Sequence, residues 1–268
     1  MSPARSDLEW LGLEAHGDGR YSFVLASALT RFDGKLYGGT GAAVVTALLE
    51  AETGRDALWV TAQFAGSADL DEVLDCRVEV LAHGRRTSQA RVTVSVGGRV
   101  AVVGLGATGA PRSGALEAQF GAMPDVDPPE HAKRWIPKLP FPVHGERPGW
   151  LAISEMRETD AEAGGDTRSA FWARMRDVDV TTQTRATIAF LTDVVPSSVV
   201  RAAGRTGGGT SLDNALRFGP RPDGEWILVE FDPYLASAGY VHGAARVWSR
   251  DGRLLAVASQ TAVARVFE

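Results

Sequence analysis

Apolar positions change their spacing several times along the chain, and each change marks an element. Residues 36–53 read Leu-Tyr-Gly-Gly-Thr-Gly-Ala-Ala-Val-Val-Thr-Ala-Leu-Leu-Glu-Ala-Glu-Thr, with apolar side chains at 42–45 and 47–49. That coverage leaves almost no polar face, which predicts a helix buried against a sheet rather than a surface helix. Gly54 supplies its C-cap. From Leu58 onward the period falls to two. Strands are predicted over Leu58–Ala65, Glu72–Ala82 (alternating as Val73, Cys76, Val78, Val80), Thr87–Val96 (Ala90, Val92, Val94, Val96) and Arg99–Ala107. Gly97-Gly98 is the hairpin turn between the last two.

The second half repeats the plan. Arg168–Arg176 alternates as a strand, Thr182–Ala203 reads as one apolar helix, and Gly204–Gly209 reads as a flexible loop. Strands follow over Thr210–Phe218, Glu225–Asp232, Tyr240–Ser249 and Arg253–Val266, with Asp251-Gly252 as a second hairpin turn. Two landmarks share one offset: Gly98 and Gly252, and Phe64 and Phe218, each lie 154 positions apart. The repetition is of pattern, with little identity between the halves. Between them, residues 109–150 hold eight prolines (111, 124, 128, 129, 137, 140, 142, 148). Proline removes backbone donors, and a structureless run this long is uncommon inside one domain. The expected organisation is an N-terminal domain over 1–110, a proline-rich linker over 111–150 and a C-terminal domain over 151–268. One helix followed by hairpin-linked strands is an α+β pattern, not a βαβ alternation.

At 268 residues, 44% apolar and 23% charged, the chain is an ordinary globular composition able to bury a core without staples. Net charge is −5, with no basic run, so nucleic acid is not an expected partner. Cys76 is the single cysteine, which excludes an internal disulfide and a cysteine-based zinc site. The five histidines (His16, His83, His131, His144, His242) are scattered, so no metal or other cofactor is expected. The N-terminus has no apolar h-region, and the most apolar stretch, Val100–Leu105, is far below bilayer-spanning length. The expectation is a soluble cytoplasmic protein with no membrane partner.

Gly104-Leu-Gly-Ala-Thr-Gly109 matches the dinucleotide fingerprint but precedes Pro111 instead of a helix, so it reads as a strand end entering a loop. Gly204–Gly209 lacks the Gly-Lys-Ser/Thr ending of a P-loop, and no G-x-S-x-G elbow exists. Trp59, Trp172, Trp226 and Trp248 fall in strands and read as core. Gly38–Gly41 read as permitting close helix–sheet packing.

Three stretches resemble the TesB-like (type II) acyl-CoA thioesterases: Tyr37-Gly-Gly-Thr-Gly-Ala-Ala, Thr210-Ser-Leu-Asp-Asn-Ala-Leu-Arg-Phe218, and the region from Trp226-Ile-Leu-Val-Glu through Asp251-Gly-Arg-Leu-Leu-Ala-Val-Ala-Ser-Gln260. The resemblance implies a double hotdog fold, two fused units each of a long helix on an antiparallel sheet. It implies hydrolysis of an acyl-CoA to free acid and CoA, and homo-oligomeric assembly. In that family an aspartate, a glutamine and a hydroxyl residue hold the attacking water. Asp213 matches the aspartate, Gln260 the glutamine, and Ser237 is the nearest hydroxyl; Asn214 stands where the best-known members have histidine. An oriented carboxylate takes a proton from water, and an amide can orient that water or serve the oxyanion. Two alternatives stand beside this: a non-catalytic acyl-thioester binder, and a hotdog dehydratase or hydratase built on His242, which has no evident acidic partner in sequence.

Overall fold

The computed structural model describes residues 3–137, 139, 148–159, 169–176 and 182–267. The predicted starting residue Arg168, and positions 138 and 140–147 of the expected linker, lie outside the described residues.

The elements run α1 (Pro3–Trp10), β1 (Glu14–Gly17), β2 (Arg20–Val24), α2 (Gly38–Thr53), β3 (Asp56–Phe64), β4 (Val73–His83), β5 (Thr87–Val96), β6 (Arg99–Gly109), β7 (Lys133–Arg134), β8 (Ser154–Glu158), β9 (Ser169–Met175), α3 (Arg185–Leu191), α4 (Val195–Ala202), β10 (Thr206–Phe218), β11 (Ile227–Ser237), β12 (Tyr240–Ser249) and β13 (Leu254–Phe267). All thirteen strands form one sheet, ordered β1-β2-β4-β5-β6-β3-β10-β13-β12-β11-β9-β8-β7, with every pairing antiparallel. This is the expected α+β double hotdog arrangement: α2 lies on the first-half strands, and α3 with α4 on the second.

The repeat predicted from turns is built into the ladder. β3 pairs with β10 at the centre, and the pair Thr61↔Ala215 joins residues that are themselves 154 positions apart. An antiparallel pair of equivalent residues must sit on a local twofold axis, so the axis relating the halves runs through this point. Bulges recur at the same offset. Leu58 in β3 and Leu212 in β10 are each skipped by their ladders, as are Ala101 in β6 and Leu255 in β13.

Local chemistry explains the elements. α2 is buried from Gly38 through Glu50, as its unbroken apolar coverage requires, and ends at Gly54 with φ 63°. In β5 the residues Ala90, Val92, Val94 and Val96 face inward. In β4 the predicted phase shifts: Leu74, Cys76 and Val78 are buried, while Val73 and Val80 are 53% and 41% exposed. Alternation by two cannot place 73 and 76 on one face, and the register shift between Val80 and Ala82 ends the regular stretch. Gly104 and Gly106 of the fingerprint look-alike lie within β6, where a Cβ would meet Val45 and Leu49 of α2. They let the helix approach the sheet, and no helix follows.

Two expectations in the second half need correction. Thr182–Ala203 is not one helix but two, α3 and α4, interrupted at Thr192–Val194. Pro196 has no N–H to donate and its ring collides with the carbonyl four residues back, so it can open α4 but not continue α3. Gly204–Gly209 is not all loop, since Gly207, Gly208 and Gly209 pair with Val266, Arg265 and Ala264. On the outer face, Trp172, Trp226 and Trp248 form a second core with Leu228, closed by Met123, Val126 and Ala132. The Trp172 indole donates to the Asp127 carbonyl at 2.8 Å. Trp59 is only half-buried.

Candidate active site

The interruption between α3 and α4 places one carboxylate in the interior. Asp193 is 7% exposed and faces the N-terminus of α2 and the central strands β10 and β13. Its Oδ1 accepts from Gln260 Nε2, from Asn214 Nδ2 at 3.3 Å and from Ser211 Oγ at 3.4 Å. Gln260 Nε2 also reaches Ser211 Oγ at 2.8 Å. Asn214 and Gln260 are directly opposite across the β10–β13 ladder. The backbone of α2 comes equally close: a Cβ on Gly38 would lie 2.5 Å from Asp193 Oδ2, so only glycine fits there. Gly39 adds its amide as a donor to the carboxylate.

Burial pushes the Asp193 carboxyl up from 3.8 to about 7, against the downward pull of Gln260, the Gly39 amide, Asn214 and Ser211. Desolvation penalises the charged form, and four donors only partly replace water. Next to it, burial and the Asp193 charge hold Tyr37 well above its ordinary 10, so its hydroxyl stays neutral and donates to the Phe190 carbonyl at 3.1 Å. Two acceptors at the cluster, Asn214 Oδ1 and Gln260 Oε1, are buried without a protein donor.

Asp193 and Ser211 open onto a cavity of about 850 Å³. Aromatic rings stand in its walls, and Arg31, Lys35, Arg201, Arg205 and Arg265 also line it. Among the described residues, no group of three His, Cys, Asp or Glu side chains is placed to hold a metal ion.

The structure brings together only one of the three residues singled out by sequence. Gln260 stands in the cluster. Asp213 does not: its Oδ1 accepts from the Thr261 backbone N–H at 2.9 Å, and it is absent from the cavity wall. The bulge at Leu212 is the reason. In a regular strand Ser211 and Asp213 would share a face, but the extra residue turns Asp213 outward and brings Ser211 and Asn214 to the same inner side. Ser237 is exposed at the far end of β11, opposite Tyr240, three positions along β12 from the residue facing Gln260. His242 bonds Thr261 Oγ1 at 3.2 Å, outside the cavity wall. Asp193 was missed because Thr182–Ala203 reads as one helix. The available signal was Pro196 three residues after a lone aspartate in an apolar run, a helix-start pattern.

The fold and its buried polar cluster define a double hotdog protein with a buried carboxylate at the helix break. Family models agree. Residues 26–109 match the acyl-CoA thioesterase N-terminal domain and residues 123–264 the acyl-CoA thioesterase C-terminal domain. The chain belongs to the acyl-CoA thioesterase family and is, on that membership, a thioester hydrolase. Among solved structures, a protein of Novosphingobium aromaticivorans DSM 12444, provisionally named a thioesterase, is 29% identical with TM-score 0.84, covering 94% of this chain and 98% of its own. An acyl-CoA thioesterase II TesB2 from Mycobacterium marinum is similar in fold at 21% identity and TM-score 0.73, covering 98% and 99%. A hot dog fold protein of unknown function from Alicyclobacillus acidocaldarius superposes with TM-score 0.80 at 19% identity, covering 98% and 99%. No curated protein sequence matches the chain. No helix among the described residues is long and apolar enough to cross a membrane.

Proposed function

We propose that this chain hydrolyses acyl-CoA thioesters with Asp193, not Asp213, as the general base. The observation that carries this is a buried carboxylate on the wall of the large cavity, raised to about 7 and held by the wall hydroxyl of Ser211 and, behind the wall, by the Asn214 and Gln260 amides. A base is most effective when its pKa lies near the working pH. Ser211 fills the hydroxyl role assigned earlier to Ser237.

In this reading a water donates one hydrogen bond to Asp193 and the other to Gln260 Oε1, which has no protein donor. Its oxygen attacks the thioester carbonyl as Asp193 takes its proton. As the carboxylate is neutralised, the Gln260 and Asn214 amide groups lose their charged partner and can turn toward the developing oxyanion. The positive end of the α2 dipole lies on the same side. Collapse breaks the C–S bond, the proton passes to the CoA thiolate, and the products are the free acid and CoA. The arginines and Lys35 at the cavity suit the CoA phosphates. Domain limits near 110 and 150, a cytoplasmic setting and a homo-oligomeric state belong to the same reading; the buried free thiol of Cys76 suits a reducing compartment.

The test is thiol release from a series of acyl-CoAs by wild type, Asp193→Asn and Asp213→Asn. Losing a general base costs about 10²- to 10⁴-fold. Asp193→Asn is expected to fall by that factor, with Asp213→Asn within about threefold of wild type. The opposite order would return the base to Asp213.

A further inference from the structure

The walls of the cavity are chemically unlike the rest of the core. Aromatic residues make up 8% of the chain, yet eight of the 35 residues lining the cavity are Phe, Tyr or Trp. Beneath α2 the core is mostly alanine, valine and leucine, with Phe64 against Gly41. Helix–sheet packing therefore does not by itself call for rings.

Six of these rings form one ordered array although five separate segments supply them. Phe32 and Tyr37 precede α2, Trp135 follows β7, Trp150 lies in a short 3-10 turn, Phe171 is on β9 and Phe231 on β11. Tyr37 stacks on Trp150 with centroids 5.1 Å apart and planes 8° from parallel. Phe32 and Trp135 stack on Trp150 at 6.0 and 6.3 Å. At the corner the geometry turns: Trp135 meets Phe171 edge to face at 6.3 Å and 84°, and Phe171 meets Phe231 at 5.9 Å and 67°. Faces carry negative and edges positive quadrupole charge, so this corner offers a flat guest both kinds of contact at once. The array begins at the reacting centre, because Tyr37 directly precedes Gly38, which abuts Asp193.

We infer that the acyl group this enzyme prefers carries an aromatic ring: its substrates are aryl or arylalkanoyl thioesters rather than straight-chain alkanoyl ones. The inference rests on the thioesterase reading and narrows it. An alkyl chain gains the same hydrophobic burial but not the quadrupole match, which is worth about 2- to 12-fold per ring contact. Two such contacts at the Trp135–Phe171 corner give an aryl preference of about 5- to 150-fold at equal carbon number.

The experiment measures kcat/KM for phenylacetyl and octanoyl thioesters, which have the same number of acyl carbons. Each acyl group is presented both as the CoA ester and as the pantetheine ester. The enzymes are wild type, Trp135→Leu and Phe171→Leu, with folding checked by circular dichroism. Trp135 is only half-buried, so its replacement disturbs the core less than that of Phe171. Expected is a phenylacetyl-to-octanoyl ratio of about five or more on both carriers, falling at least about twofold in either variant. A wild-type ratio below about five overturns the inference, as does a ratio that neither variant changes. A loss confined to CoA esters and equal for both acyl groups assigns the rings to adenine and overturns it too. Dissociation constants of both CoA esters on Asp193→Asn separate this inference from the reading beneath it. Tighter phenylacetyl binding without turnover in wild type would sink hydrolysis alone. Equal binding of the two esters alongside turnover would sink the aryl preference alone.

Discussion

Replacing Asp193 by asparagine should cost activity and return stability, and the size of the return depends on pH. The carboxyl titrates at about 7 in the folded chain against 3.8 for an ordinary aspartate. Because the folded value is raised, the protonated form is the one the fold favours. Between 3.8 and 7 the unfolded chain has released this proton and the folded chain has kept it, so stability falls as pH rises through that window and levels off above it. At 1.36 kcal/mol per unit, the shift amounts to about 4 kcal/mol in full. Asparagine carries no charge and its Oδ1 can still accept from Gln260, so the variant escapes the loss. Urea unfolding of both proteins at pH 4, 6 and 8 reads the difference. The stability of Asp193→Asn relative to wild type should climb by several kcal/mol across the series and then stay flat to pH 9. Glu50, raised by burial to about 7, and Asp7, raised by burial to about 6, titrate in the same window but are common to both proteins and cancel. A difference that does not change with pH would refute the reasoning, because Asp193 would then have an ordinary carboxylate environment and no basis for its role.

Gly38→Ala forces a Cβ against Asp193 Oδ2 and should lower kcat at least tenfold while costing about 1–3 kcal/mol, read by steady-state kinetics and urea unfolding. Gln260→Leu removes the strongest donor to Asp193, so the acidic limb of the kcat/KM–pH profile should move to higher pH relative to wild type. Leu216→Ala opens a hole beside the local twofold, where Leu216 is fully buried and pairs with Val60, and should cost about 2–5 kcal/mol by the same unfolding assay.

Much of the fold was legible because period and punctuation are local. The buried helix α2, the strands β3, β5, β6 and β9 through β13, and both hairpin turns follow from spacing and glycine; β7 and β8 were not foreseen. The 154-residue offset gave the equivalence of the halves, while the twofold axis itself is placed by Thr61 opposite Ala215 in the structure. Of the three residues singled out by sequence, only Gln260 stands beside Asp193. Asp213 was singled out because Ser-Leu-Asp matches the family's motif, and nothing in Ser211-Leu-Asp213 announces that Leu212 is bulged. Asp193 depends on a helix break and on contacts with β10, β13 and α2, which are distant in sequence. Burial of its carboxyl, the property that tunes it, is created by those contacts and does not exist in the local sequence.

The same symmetry that organises the fold argues for one site per chain. Shifted back by 154 positions, the facing pair Asn214↔Gln260 becomes Val60↔Gly106, which face each other in the same register. Ser211 becomes Ala57 and Asp213 becomes Trp59, across the equivalent bulge at Leu58. Every polar group that holds the carboxylate is thus replaced by an apolar or absent side chain in the first half. Gly106 has no space for a glutamine, since a Cβ there would meet Leu49 at 2.5 Å and the Trp59 carbonyl at 2.8 Å. The first half instead presents α2 and its glycine-rich N-terminus, which approaches Asp193 from the other side of the axis. One hotdog unit supplies the polar groups on its strands, the other a helix terminus that only glycine lets come close, and neither holds the cluster alone.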